Sequence, residues 1–267
     1  MSKTQRPPFE FLGRWGGQFV ATAIHNGHDV RPEFAAELVL PEADRLREED
    51  PHTDRIGALI PARVVVHRSR FEVDLNRTRD ESVYRSSEEA WGLDVLRDPP
   101  LDEAVVAGSL DVYDNFYAEL GRRLDEVADR GPFVVFDVHS YNHRRDGADA
   151  VAAPEAENPE VNVGTGSLDR ARFGRVVDAF IEALGAAATA SGPLDVRENI
   201  RFRGRQLAAW THARYPDRAV VLALEFKKTF MDEWTGDTDF ARVDELARAL
   251  AGTIPAVEDA LRDSVRT

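Results

Sequence analysis

The chain has 267 residues, a net charge of −14 and a pI of about 5.0, which argue against a nucleic-acid partner. It contains no cysteine, so disulfides and thiolate chemistry are excluded, and any metal must be held by histidines and carboxylates. No apolar stretch approaches the length of a membrane span and the N-terminus lacks a signal-peptide pattern, so we expect a cytoplasmic protein with no membrane partner.

Short apolar runs alternate with amphipathic stretches along the chain, and this alternation predicts α/β architecture with a mostly parallel or mixed central sheet flanked by helices. No linker divides the chain, so we expect a single domain over residues 1–267. The predicted elements are an irregular lead-in over 1–17, strands over 18–24, 62–67, 71–75, 133–138 and 219–228, an extended segment over 199–204, and helices over 32–50, 113–127, 168–190, 206–213 and 239–261.

Site-type residues follow several of the predicted buried strands. His25 and His28 follow the first strand across a glycine turn and could share one metal ion, or they could be solvated imidazoles. Asp137 and His139, two apart, point to one face at the end of the strand that begins at Phe133. Because the carboxyl ends of parallel strands meet at one edge of a sheet, we expect these groups to converge there.

Two further groups complete the predicted site. Asn76 and Arg77 follow residues 71–75, and an arginine fork with a neighbouring amide is suited to binding a carboxylate. Glu225 closes an apolar run, where a lone buried carboxylate is costly unless it is paired, liganded or used. The structural alternative for Glu225 is an ion pair with Lys227 on the same strand face. For Arg77 the alternative is a bridge between surface carboxylates.

In chain order these motifs resemble the site of the zinc carboxypeptidase-like superfamily, and most closely that of the N-formylglutamate amidohydrolase family. The resemblance covers roughly residues 18 to 230, and the Asp-Leu-Asn-Arg and Asp-Val-His-Ser segments are its specific parts. The motifs that carry it are His25-Asn26-Gly27-His28, Thr53-Asp54, Arg70, Asp74-Leu75-Asn76-Arg77, Asp137-Val138-His139-Ser140 and Glu225.

The resemblance implies a Zn²⁺ cofactor and metal-assisted hydrolysis of a small acidic amide, with N-formyl-L-glutamate as the favoured substrate. His25 and His139 would bind the metal with His28 as third ligand, although a glutamate occupies that position in the peptidases, so Glu49 and Asp54 remain alternatives. Glu225 would be the proton shuttle. Arg70 would stabilise the oxyanion or hold a carboxylate, and Asn76, Arg77 and Arg144 would bind the substrate. His143 and Arg145, beside Arg144, would add positive charge near the site that suits a diacid.

The sequence is compatible with two other functions. The same site would serve a carboxypeptidase or another acylamino-acid hydrolase. A carboxylate-binding protein that has lost its metal would keep Asn76 and Arg77 for the carboxylate but would contain no zinc. The loop over residues 146–167 is rich in Gly, Ala, Pro and Asp, which is typical of a lid or mobile segment. A shallow lid would favour peptides and a closed one small amides. The sequence does not indicate the oligomeric state.

Overall fold

The computed structural model describes residues 6–97 and 99–264, and a mixed sheet lies at its centre. The seven strands of the sheet are β1 (Phe9–Gly13), β2 (Phe19–Ala23), β3 (Ala62–Val66), β4 (Phe133–Tyr141), β5 (Val161–Gly164), β6 (Val196–Glu198) and β7 (Ala219–Lys227). Their order across the sheet is β1-β3-β2-β4-β7-β5-β6. The pairs β1–β3 and β5–β7 are antiparallel and the others are parallel, so the predicted α/β class with a mixed sheet is confirmed.

Helices cover both faces of this sheet. The α-helices of the described residues are α1 (Pro32–Ala35), α2 (Glu42–Glu48), α3 (Thr53–Ile56), α4 (Glu103–Ala128), α5 (Arg170–Gly185), α6 (Gln206–Arg214), α7 (Phe240–Gly252) and α8 (Ile254–Ser264), and α3 to α8 contribute to the cores on the two faces. No helix in the described part of the chain combines the length and the apolar character that crossing a bilayer requires.

Strand β4 shows how the sequence separates the two layers. Successive side chains of a strand point to opposite faces, so a continuous apolar run buries both of its faces. Phe136 and Val138 pack into the core formed with α5, α7 and α8, while Phe133 and Val135 pack into the core formed with α4 and α6. Strand β4 is therefore held on both sides, and it carries His139 near its carboxyl end.

Two sequence predictions near the first edge of the sheet are wrong. Part of the lead-in, Phe9–Gly13, is the edge strand β1. Residues 71–75 are not a strand, because the polar positions in their alternating pattern are buried: Glu72 pairs with Arg31 and Asp74 with Arg70. The alternation that imitated a half-solvated strand is therefore an alternation of apolar residues with buried charges.

Two of the predicted helices are each divided in two. The helix predicted over 32–50 is the pair α1 and α2: the chain leaves the helix after Ala35, Leu38 forms a β-bridge with Leu96, and Pro41 immediately precedes α2. The helix over 239–261 ends at Gly252 and restarts at Ile254, just before Pro255. The long loop over 146–167 also contains an ordered strand, β5, so the irregular part of that segment is shorter than predicted.

Candidate active site

Strands β2, β4 and β7 are neighbours and run parallel, so their carboxyl ends lie side by side at one edge of the sheet. His25 follows β2, His139 lies near the end of β4, and Glu225 is its register partner on β7. All three line a cleft of about 150 Å³. The predicted convergence of strand ends therefore occurs, and Asp50, from the segment after α2, enters the same cleft.

His25, Asp50 and His139 form a compact group of metal-type ligands. One ligand atom from each lies within 4.8 Å of the others, and all three residues are buried. The Nδ1 atom of His139 is 3.1 Å from Asp50 Oδ2, and the Nδ1 atom of His25 is 3.4 Å from the same oxygen. Both imidazoles thus direct the same ring nitrogen towards one point.

The opposite nitrogen of each ring meets a second buried carboxylate. His25 Nε2 lies 2.7 Å from Asp74 Oδ1, and His139 Nε2 lies 3.1 Å from Asp137 Oδ2. Thr22, on the adjacent strand, donates a hydrogen bond of 2.6 Å to Asp137 Oδ1 and fixes that carboxylate. A carboxylate beside Nε2 would hold a proton there when Nδ1 binds a metal, which is the arrangement that orients histidines towards metals.

Asp50 is positioned by its backbone and by a buried lysine. Its amide donates a 3.0 Å hydrogen bond to the carbonyl of His25, which ties the end of α2 to the end of β2. Lys228 is 1% exposed, and its Nζ donates to the carbonyls of Arg47 and Glu49 at 2.6 and 2.7 Å. The lysine satisfies carbonyls at the carboxyl end of α2 and so holds the residues that immediately precede Asp50.

The charge distribution of this group fits a divalent cation. Burial opposes ionisation of Asp50, yet hydrogen bonds from His139 and His25 hold the pKa of Asp50 below its usual value. Burial acts to lower the pKa of His139, but the Asp137 and Asp50 carboxylates raise it well above its usual value. Clustered buried carboxylates are stabilised by nearby positive charge, and a metal ion between the two Nδ1 atoms and Asp50 would supply it.

Glu225 faces the same space from β7. Burial raises the pKa of Glu225 to about 7. A carboxyl group with a pKa in this range can both accept and donate a proton at neutral pH. Lys227 does not form the alternative ion pair, because its Nζ donates to the carbonyl of Asn158 at 2.9 Å. Glu225 therefore has the position and proton affinity of a general base, and its role stays a prediction.

Asn76 and Arg70 also line the cleft. The Oδ1 atom of Asn76 accepts a hydrogen bond of 3.2 Å from the Leu207 amide at the start of α6, so its Nδ2 faces the cleft, 3.5 Å from His139 Nε2. Arg70 Nη2 donates to Asp74 Oδ2 at 2.9 Å, and the guanidinium lies 4.8 Å from the centre of the Trp91 ring. Both side chains have donors held beside the group formed by His25, Asp50 and His139.

The structure does not bring His28 into this group. The backbone of Gly27 packs against residues 67–68, so closely that a Cβ there would lie 2.2 Å from the His67 carbonyl carbon. This packing turns His28 away, and its Nδ1 contacts Glu49 at 2.5 Å, which raises the pKa of His28. Glu49 is thereby engaged as well, and Asp54 accepts a hydrogen bond from the amide of Arg55. Among the described residues, the carboxylate that is grouped with His25 and His139 is that of Asp50.

Two predicted substrate-binding arginines lie outside the cleft. Arg77 Nη2 donates to the carbonyl of Glu89 at 2.6 Å, and its guanidinium covers the Tyr84 ring at 4.5 Å from the ring centre. Arg144 pairs with Asp232. These contacts make both arginines structural partners of neighbouring segments.

Arg145, expected near the site from the sequence, lines the cleft, and so do two cations that the sequence did not place there, Lys228 and Arg205. Lysine occurs only at positions 3, 227 and 228 of this arginine-rich chain, and that rarity was the available signal for Lys228. Arg205 carries no comparable signal, because its approach to the cleft depends on how distant loops fold.

The sequence profile of the N-formylglutamate amidohydrolase family matches residues 17–231. The chain belongs to the N-formylglutamate amidohydrolase family. The family resemblance seen in the motifs is thereby confirmed. A comparison with curated protein sequences gave no match.

Two solved structures share the fold of this chain. The N-formylglutamate amidohydrolase of Ralstonia eutropha JMP134 has a TM-score of 0.71 and 19% identity, with 96% of this chain and 98% of that chain covered. A gene product of Agrobacterium tumefaciens has a TM-score of 0.64 and 17% identity, with 97% and 96% covered. At these identities the likeness shows the shared fold, which extends over almost the full length of this chain and of both solved structures.

Proposed function

We propose that the protein is a zinc-dependent amidohydrolase that cleaves N-formyl-L-glutamate into formate and L-glutamate. One observation carries the proposal: two buried histidines turn their Nδ1 atoms to a shared carboxylate, and the ionisable Glu225 lies opposite them in the cleft. Membership of the N-formylglutamate amidohydrolase family supplies the substrate class. The cleft of about 150 Å³ is well below the roughly 300–1,000 Å³ of pockets for drug-sized ligands, which favours a small amide over a peptide.

His25, Asp50 and His139 are the residues that would hold the metal. Two imidazoles and a carboxylate are a recurrent ligand set of catalytic zinc sites, which keep a further position open. When bound, zinc polarises a substrate carbonyl and lowers the pKa of a bound water to about 7. Asp74 and Asp137 would keep the two imidazoles in the tautomer that binds the metal.

The chain's own residues supply the proton transfers and the orientation of the substrate. Glu225 would accept the proton of the attacking water and deliver it to the leaving nitrogen, which is worth roughly 10²–10⁴-fold in rate. Arg70 would donate hydrogen bonds to the developing oxyanion while Asp74 holds its guanidinium in place. The Asn76 amide, fixed through Leu207, would donate to a polar group of the substrate.

Release of formate from N-formyl-L-glutamate by the purified protein tests the proposal. We expect activity in the zinc-loaded protein, loss of activity after chelation, and recovery on adding zinc. N-acetyl-L-glutamate and a glutamate-containing dipeptide should react much more slowly. Preferential cleavage of the dipeptide would favour the carboxypeptidase alternative, and a zinc-loaded protein inactive on all three amides would contradict the proposal.

A further inference from the structure

Two arginines that line the cleft have no carboxylate partner within residues 6–97 and 99–264. Arg145 and Arg205 are both exposed, and neither guanidinium forms an ion pair or donates a hydrogen bond to another described residue. The neighbouring cations are engaged: Arg70 pairs with Asp74, and Lys228 binds the carbonyls of α2. In a chain with 48 acidic residues and 34 lysines and arginines, unpaired arginines beside a cleft are available for an anionic ligand.

The backbone before Arg205 is held tightly against the sheet. A Cβ on Gly164 would lie 2.5 Å from the amide nitrogen of Gly204, so glycine permits a close approach of the two segments. Gly204 has a φ of +83°, a conformation that glycine adopts without strain. Asn162 adds hydrogen bonds to Phe202. Arg205 then precedes the first residue of α6, so its Cα is fixed while its side chain stays free.

Arg145 has a similar arrangement on another segment. The amides of His143 and Arg144 both donate to Glu233 Oε1, at 2.7 and 2.8 Å. The indole nitrogen of Trp234 donates to the carbonyl of Arg144 at 2.9 Å. The chain immediately before Arg145 is thus anchored to residues that follow β7, and the arginine again has a fixed backbone start and an unengaged guanidinium.

We infer that Arg145 and Arg205 each bind one carboxylate of the substrate, so that this cleft selects amides of dicarboxylic amino acids. The inference rests on the proposed function. The interior of the cleft contains Glu48, Asp50 and Glu225, which would repel a diacid. Two exposed guanidiniums offset that repulsion, and each offers a planar fork that matches a carboxylate through two hydrogen bonds.

Removing one guanidinium and one substrate carboxylate in the same experiment tests the inference. Zinc-loaded wild type, Arg145→Gln and Arg205→Gln would be assayed with N-formyl-L-glutamate, with N-formyl-L-glutamine, which lacks the side-chain carboxylate, and with N-formyl-L-isoglutamine, which lacks the α-carboxylate. Arg175→Gln, on the exposed surface of α5, removes the same charge away from the cleft and is the matched control.

We expect each cleft variant to lose roughly 10–100-fold in kcat/KM on the diacid, mainly through a higher KM, because a charge-assisted contact is lost. Each variant should be as active as wild type on the monoacid that lacks the carboxylate which its missing arginine would bind. The two variants should show opposite patterns, and Arg175→Gln should match wild type. Equal losses on all three substrates, or no loss on the diacid, would overturn the inference.

Binding of the product gives a second readout that does not depend on turnover. Calorimetric titration of the zinc-loaded proteins with L-glutamate should show a similar weakening in each cleft variant and none in Arg175→Gln. If wild type releases formate from no substrate, the proposed function fails, and the glutamate titration still decides the arginine assignment. If wild type is active and both cleft variants bind L-glutamate as it does, the inference alone fails.

Discussion

Asp74→Asn would remove a buried carboxylate that contacts His25, Arg70 and Tyr84 beside the site. Asp74 is fully buried, and Arg70 nearby holds the pKa of Asp74 well below its usual value although burial acts to raise it. Its Oδ1 lies 2.7 Å from His25 Nε2 and accepts from the Asn76 amide at 2.9 Å. Its Oδ2 accepts from Arg70 at 2.9 Å and from the Tyr84 hydroxyl at 2.5 Å.

An asparagine has the same shape but cannot accept at both ends of its side chain. One pair of donors would face an NH₂ group, and the buried Arg70 would lose its charged partner. Removing one member of a buried ion pair costs about 3–5 kcal/mol, a large part of the roughly 5–15 kcal/mol by which a typical domain is stable. Loss of the carboxylate beside His25 should also weaken zinc binding by roughly 10–100-fold.

Urea unfolding of the metal-free proteins at neutral pH measures the first effect, and competition with a chelator measures the second. Asp114→Asn is the matched control, because it breaks the Arg79–Asp114 pair in which both side chains are about half exposed. Such an exposed pair contributes about 0–1 kcal/mol, and the control should keep its zinc affinity. If the free energies of unfolding of Asp74→Asn and Asp114→Asn differ by less than about 1 kcal/mol, the role given to the Asp74 carboxylate is wrong.

Three further outcomes are expected. Glu225→Gln should retain its zinc and its melting temperature while turnover falls by at least roughly 100-fold, and unchanged turnover would remove Glu225 from the chemistry. His28→Gln should keep its zinc, as measured by metal analysis, because His28 lies against Glu49 and outside the ligand group. Burial lowers the pKa of His212 to about 4 from 6.5, so the unfolded chain binds more protons between these values and stability falls as the pH falls. Between pH 7 and pH 4 the free energy of unfolding, measured with urea, should therefore fall by about 3 kcal/mol less in His212→Gln than in wild type. Equal decreases in the two proteins would show that the pKa of His212 is not lowered by folding.

The parts of the site that lie on strands could be predicted from the sequence. A continuous apolar run that ends in polar residues marks a buried strand, and neighbouring parallel strands place their carboxyl ends together. That reasoning located His25, His139 and Glu225 in one cleft without knowledge of the loops. It depends only on local patterns and on the general geometry of α/β sheets.

The position of Asp50 could not be predicted in the same way. Glu48, Glu49 and Asp50 form an acidic run that looks solvated, and adjacent carboxylates cannot be told apart by composition. The choice between them is made by long-range contacts, namely the hydrogen bond from the Asp50 amide to His25 and the capping of α2 by Lys228. These contacts join residues far apart in the chain, so no local pattern reports them.

The zinc content of Asp50→Ala tests the central claim most directly. Metal analysis after gel filtration would compare it with wild type and with Asp54→Ala, a partly exposed carboxylate close to Asp50 in the chain. We expect about one zinc per chain in wild type and in Asp54→Ala, and a large loss in Asp50→Ala, since a three-residue ligand set loses a member. Stoichiometric zinc retained by Asp50→Ala, with loss in Asp54→Ala, would show that the metal is held elsewhere than among His25, Asp50 and His139.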